Sequence, residues 1–97
     1  MAKRHEVIWS TQAELDLQEI LLFWIRKTLS KTFSIKLNQE ILLATKLLQN
    51  YPLAGKLINK NDFRRILVRY YLIIYRIENM QVRILRIWNG KRKEIEL

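Results

Sequence analysis

The chain has 97 residues and a formal net charge of +9. It has no cysteine and one histidine, which excludes disulfides, thiolate metal centres and a histidine-built metal site, so no metal and no cofactor is expected. Its 49% apolar content suits one folded domain, taken as residues 1–97, and its charge favours an anionic partner: nucleic acid, an acidic protein or a membrane surface.

Glu6 to Trp9 is a short apolar run that reads as a first strand. Thr11 and Glu14 have capping-box spacing, so a helix is expected to begin there. Ala13, Leu17, Ile20, Leu21 and Trp24 then fall on one helical stripe. A second helix is expected over roughly Lys31 to Asn50. Its apolar stripe is Phe33, Leu37, Ile41, Ala44 and Leu48, widened by Leu43 and Leu47. Pro52 stops it, because a residue before proline disfavours the helical region. The longest apolar run, Ile20 to Ile25, is far too short to span a bilayer. The start, MAKRHEVIW, lacks the apolar stretch of a secretory signal. These features predict a cytoplasmic protein with no membrane partner.

Leu53 to Asp62 reads as a loop, with turn signals at Gly55 and over Asn59 to Asp62. Three strands follow: Phe63 to Arg69, Tyr70 to Ile77 and Gln81 to Trp88, with a hairpin turn at Glu78, Asn79 and Met80. Gly90 opens a polar tail with Lys91, Arg92 and Lys93. The expected fold is α+β, a helical hairpin on one face of a small, mainly antiparallel sheet, in the order β-α-α-β-β-β.

The basic excess sits in the strands. Residues 60–97 hold ten Lys/Arg against four Asp/Glu, a net of +6. Strand alternation puts Ile66, Val68, Ile73, Tyr75, Ile77, Leu85 and Ile87 on a core face. The opposite face then carries Phe63, Arg65, Leu67 and Arg69, Leu72, Ile74 and Arg76, and Val82, Ile84, Arg86 and Trp88. Two helices cover only one side, so this basic and apolar face is expected to be open and to bind a partner. Arginines at alternate positions often mark no more than a solvated face. Such a face would carry Ser, Thr or Lys between them, not Leu67, Leu72, Ile74, Ile84 and Trp88.

Other residues carry less chemistry. His5 stands alone and reads as a surface residue. Glu14, Asp16 and Glu19 read as carboxylates favoured by the helix dipole rather than as catalytic acids. Tyr70, Tyr71 and Tyr75 read mainly as packing residues. No phosphate-binding, metalloprotease or nucleophile-elbow motif occurs. A ribonuclease can use Arg and Lys to stabilise charge developing on a phosphate, but it also needs a base for the 2′-hydroxyl proton, and none stands out.

Several segments together resemble the RelE/ParE superfamily of toxins from type II toxin–antitoxin pairs. VIWSTQAELDLQEI is similar to its first strand and helix, and Tyr51-Pro52-Leu53-Ala54-Gly55 to its Pro-x-x-Gly loop. Arg65, six residues before Tyr71, matches the arginine entering its sheet. Residues 71–77 (YLIIYRI) and 82–87 (VRILRI) match its core hairpin. The resemblance implies a growth-inhibiting toxin in a hetero-oligomer with a neutralising antitoxin. Superfamily members either cleave mRNA in the ribosomal A site or poison DNA gyrase. Leu72 stands where the mRNA-cleaving branch has an arginine, and that branch's tail tyrosine is missing here, so the hairpin looks more ParE-like. By resemblance, the catalytic candidates are Arg65 and Arg92. The antitoxin- or target-binding set joins to them Arg69, Leu72, Ile74, Arg76, Arg86, Trp88 and Lys91. The alternatives are an mRNA endoribonuclease, an inactive relative that keeps antitoxin binding, and a plain nucleic-acid-binding module.

Overall fold

The computed structural model describes residues 4–58 and 61–90. Strand β1 (Glu6–Trp9) leads into helix α1 (Thr11–Thr28), and helix α2 (Thr32–Leu47) returns alongside it. Strands β2 (Lys56–Leu57), β3 (Phe63–Val68), β4 (Tyr71–Glu78) and β5 (Gln81–Asn89) follow. The sheet order is β1-β5-β4-β3-β2. Strand β1 runs parallel to β5, and all other pairs are antiparallel. The expected α+β order therefore holds, with one addition: Lys56 and Leu57, expected in a loop, form a short fifth strand against Arg65 and Arg64. Among the described residues no helix is long and apolar enough to cross a membrane.

Ser10, not Thr11, caps α1. Its hydroxyl oxygen accepts from the Ala13 amide at 3.0 Å, satisfying one of the free N–H groups of the first turn. The same hydroxyl donates to the Leu85 carbonyl at 3.0 Å, which pins the helix start to β5. Helix α1 ends at Leu29, held in the left-handed region at φ 57°. Ser34 of α2 donates to the Leu21 carbonyl at 2.7 Å and ties the two helices together.

The main core forms where the predicted stripes meet the sheet. Ala13, Leu37, Ile41 and Leu48 from the helices are buried against Ile73, Tyr75, Val82, Ile84 and Ile87. Each large aliphatic side chain buried there contributes about 1.5–3 kcal/mol. Leu43 and Leu47 do not widen the α2 stripe; they are 61% and 54% exposed. His5 is partly buried rather than on the surface, and its backbone N–H bonds to the Gln49 carbonyl.

Val82 and Ile84 lie in this core, not on the opposite face. The cause is a bulge in β5. Ile74 pairs with Arg86, but the next residue, Tyr75, pairs with Ile84, so Leu85 is left over. One extra residue reverses the facing of everything on one side of it. Val82, Ile84 and Ile87 therefore all point to the helices, and Leu85, expected in the core, is only half-buried.

Candidate functional site: the arginine face of the sheet

The pairing fixes which side chains share the face turned away from the helices. Phe63 lies opposite Arg76, Arg65 opposite both Lys56 and Ile74, and Leu67 opposite Leu72. Across β4 and β5, Leu72 lies opposite Trp88, Ile74 opposite Arg86, and Arg76 opposite Arg83. The face thus carries Lys56, Arg65, Arg76, Arg83 and Arg86 around an apolar middle.

That middle is not open. Leu72, Ile74 and Trp88 are 7%, 0% and 9% exposed and form a second small core with Ile58 packed on it. The surrounding cations help to cover the apolar groups. The Arg86 guanidinium lies 5.2 Å from the Trp88 ring centre, and that of Arg76 lies 5.6 Å from the Phe63 ring centre. Leu67 is the apolar residue that stays exposed, at 65%.

Two further assignments change. Arg69 leaves the strand for the β3–β4 turn, at φ 55°, where it turns toward the helices. It ion-pairs with Glu40 of α2 at 2.7 Å and lies over the Phe33 ring. Arg86 stays on the sheet but is held by Asp16 of α1. Its Nε donates to Asp16 Oδ2 at 2.8 Å and its Nη2 to Oδ1 at 3.3 Å. Asp16, read from the sequence as a carboxylate favoured by the helix dipole, is 7% exposed. Lys91 and Arg92 fall outside the described residues.

Asp16 also accepts from the Ile87 amide at 3.0 Å and from Gln12 at 3.0 Å. Strand β1 stops at Trp9, opposite Ile84, so among the described residues β5 has no neighbouring strand on this side beyond that point. Ser10 and Asp16 supply the missing partners for Leu85 and Ile87. Burial pushes the Asp16 carboxyl up, but the hydrogen bonds from Arg86, Ile87 and Gln12 and the Arg86 charge outweigh it and hold the group below its ordinary value.

A second support stands behind Arg65. The Tyr75 hydroxyl donates to the Pro52 carbonyl at 2.7 Å and accepts from the Gly55 amide at 2.9 Å. Burial raises the Tyr75 hydroxyl, against the pull of the Gly55 amide and the Arg64 charge. Arg64 donates to the Gly55 carbonyl at 2.8 Å. A Cβ on Gly55 would stand 2.5 Å from the Tyr75 hydroxyl and 2.8 Å from the Arg65 carbonyl. Glycine is needed there because the loop lies directly on β3 and β4. This tie places Lys56 beside Arg65.

Sequence reasoning missed Lys56, Arg64, Arg83 and Asp16. A charged residue at a core-facing strand position was the available signal for Arg64. Among the described residues no group of His, Asp and Glu gathers that could hold a metal. Among the described residues Asp16, Glu40 and Glu78 form ion pairs with Arg86, Arg69 and Arg83 respectively. None of them stands beside Arg65.

The outer side of the helical hairpin is a second candidate surface. Leu15 and Leu22 lie two turns apart on α1, and Ile35 and Leu42 lie two turns apart on α2. They are 46%, 47%, 56% and 46% exposed. Phe23, 51% exposed, lines an open groove with Leu22, Arg26 and Lys27.

Cations thus gather on one side of the sheet, and the helices expose apolar residues on the other, in a chain of net charge +9. The chain belongs to the family described as the ParE toxin of the type II toxin–antitoxin system, parDE, which matches residues 7–94. It is similar in fold to a chain of the chromosomal ParDE system from P. aeruginosa, with a TM-score of 0.82 and 20% identity over 93% of this chain and 100% of that one. It is also similar to a chain of the RelBE2 toxin–antitoxin complex from Mycobacterium tuberculosis, with a TM-score of 0.64 and 21% identity over 92% and 94% of the two chains. Among curated proteins nothing matches.

Proposed function

We propose that this chain is a growth-inhibiting toxin that acts in the cytoplasm on DNA gyrase and is held inactive by a cognate antitoxin in a hetero-oligomer. Family membership supports the toxin reading. The antitoxin partner is supported by the two similar structures, both described as toxin–antitoxin systems.

The observation that carries the choice of target is the make-up of the arginine face. Cleaving RNA needs a group that takes the 2′-hydroxyl proton as well as cations for the phosphate. Among the described residues Arg65 has Lys56, Leu67 and Leu72 for lining neighbours, and no carboxylate or histidine. The exposed apolar residue beside Lys56 and Arg65 is Leu67. Such a face suits protein contacts better than acid–base chemistry. The exposed apolar residues of the hairpin suit them too.

One observation favours the rival, a ribosome-dependent endoribonuclease: Lys56 and Arg65 stand side by side, as a phosphate site requires. Induced expression in bacterial cells tests the toxin reading. Growth should stop, and the DNA should carry gyrase-dependent breaks. Unchanged growth would contradict it. Toeprinting on purified ribosomes separates the two targets, since cleavage between A-site nucleotides belongs to the rival alone.

A further inference from the structure

We propose that two copies of this chain pair along α1 in opposite directions, with Glu19 of each copy against Arg26 of the other and Leu22 and Phe23 at the centre. This pairing goes beyond the toxin reading and can be measured without it.

The outer stripe of α1 runs Leu15, Glu19, Leu22 and Arg26, in steps of four, three and four residues, so these side chains share one face of the helix. Phe23 flanks the stripe, and Leu29 stands at its end as the C-cap of the helix. Leu15, Leu22, Phe23 and Leu29 are 46%, 47%, 51% and 90% exposed. Glu19, Leu22, Phe23 and Arg26 line one open groove. Among the described residues neither Glu19 nor Arg26 takes part in an ion pair. A contiguous apolar patch that carries one unpaired charge of each sign marks an interaction surface.

The stripe is its own complement. Its spacing reads the same from either end, while its two charges are of opposite sign. The midpoint between Glu19 and Arg26 falls between Leu22 and Phe23. A second α1 laid end for end about that point brings its Arg26 to the first copy's Glu19, and its Glu19 to the first copy's Arg26. Leu22 and Phe23 then meet their own counterparts, and Leu15 faces Leu29. This is the isologous contact of a two-fold dimer. Seven residues of helix span about 10.5 Å, so the two ion pairs bracket the apolar centre. A parallel pair would set Glu19 against Glu19 and Arg26 against Arg26. Nucleic acid, an anionic membrane or a wholly acidic segment would meet Glu19 in the middle of the stripe. A reversed copy of the stripe matches both its charges and its apolar residues.

Sedimentation equilibrium of the purified full chain, from micromolar to near-millimolar concentration, should show a species of twice the 11.8 kDa chain mass. Glu19→Arg and Arg26→Glu should each weaken the dimer at least tenfold. The double exchange, Glu19→Arg with Arg26→Glu, should recover it. An equal mixture of the two single variants should form a heterodimer, because every charge then meets its opposite. General charge repulsion predicts a different pattern: Arg26→Glu lowers the net charge of +9 and would strengthen association. Both side chains are exposed, so circular dichroism of the variants should match the wild type. The chain has no cysteine, so Leu22→Cys should give disulfide-linked dimers on oxidation. Leu43→Cys, at a position 61% exposed on α2, should not. A monomer at every concentration would overturn the proposal. So would a dimer that both single exchanges leave as stable as the wild type, or one that they weaken and neither the double exchange nor the mixture recovers.

Discussion

Asp16 and Arg86 are seventy residues apart, yet the carboxylate takes two hydrogen bonds from the guanidinium, the shorter at 2.8 Å. The same carboxylate accepts from the Ile87 amide, so a helix side chain finishes the edge of the sheet where β1 stops. Arg86 in turn lies over Trp88, which links this contact to the second apolar core.

Asp16→Asn keeps the size of the side chain but removes its charge and an acceptor. Hydrogen bonds to charged groups are worth about 1.5–3 kcal/mol. Arg86 is partly exposed, so a loss of about 2 kcal/mol is expected in urea unfolding at pH 7. The pH dependence has a definite sign. The folded carboxyl is held below its unfolded value, so its contribution is present above the unfolded pKa, about 3.9. It is lost as pH falls through the lower folded value. The gap between the wild type and Asp16→Asn should therefore begin to narrow below about pH 4 and close only once pH has fallen through the lower folded value.

Gly55→Ala and Tyr75→Phe probe the loop behind Arg65. Tyr75→Phe strands the Gly55 amide and the Pro52 carbonyl and should cost about 1–3 kcal/mol. Gly55→Ala should cost about as much, through overpacking. Tyr75→Phe should not rescue it, because the Arg65 carbonyl still lies 2.8 Å from the new Cβ. Thermal melts of both single variants and the double variant measure this. Rescue in the double variant would show that the hydroxyl alone is the obstacle.

Trp88→Ala should act first on stability. Trp88 is 9% exposed and packs with Leu72 and Ile74, so truncation should cost about 3–5 kcal/mol. The denaturant midpoint should fall before any binding is measured. An unchanged midpoint would mean that the second core contributes little.

Leu22→Glu combined with Leu42→Glu places charge on the exposed side of the helical hairpin. Both residues are about half exposed, so stability should change by no more than about 0.5 kcal/mol per site. Growth inhibition should be lost if this surface meets the target. Full toxicity with an unchanged melting curve would remove the hairpin surface from the mechanism.

Much of the fold was legible because its signals are local. Helical stripes and the hairpin at Asn79 and Met80 follow from spacing and turn chemistry, whereas α2 ends at Leu47, short of the Asn50 expected from Pro52. The bulge at Leu85 was not legible. Ser10 and Asp16 reach β5 beside it from 75 and 71 residues away, and no period within the strand reveals it. That one residue moved Val82 and Ile84 into the core. Arg65, Arg76 and Arg86 were placed on the outer face by alternation alone. Arg69 was misplaced because its left-handed turn conformation, uncommon for a side-chain-bearing residue, gave no sequence signal. The strand Lys56–Leu57 is too short to show any alternation.

The measurement closest to the central claim is a supercoiling assay with purified gyrase, the purified chain and relaxed plasmid, run beside toeprinting on purified ribosomes. The chain should block supercoiling, leave gyrase-dependent DNA breaks and leave ribosome-bound mRNA intact. Unimpaired gyrase together with mRNA cut between A-site nucleotides would contradict it.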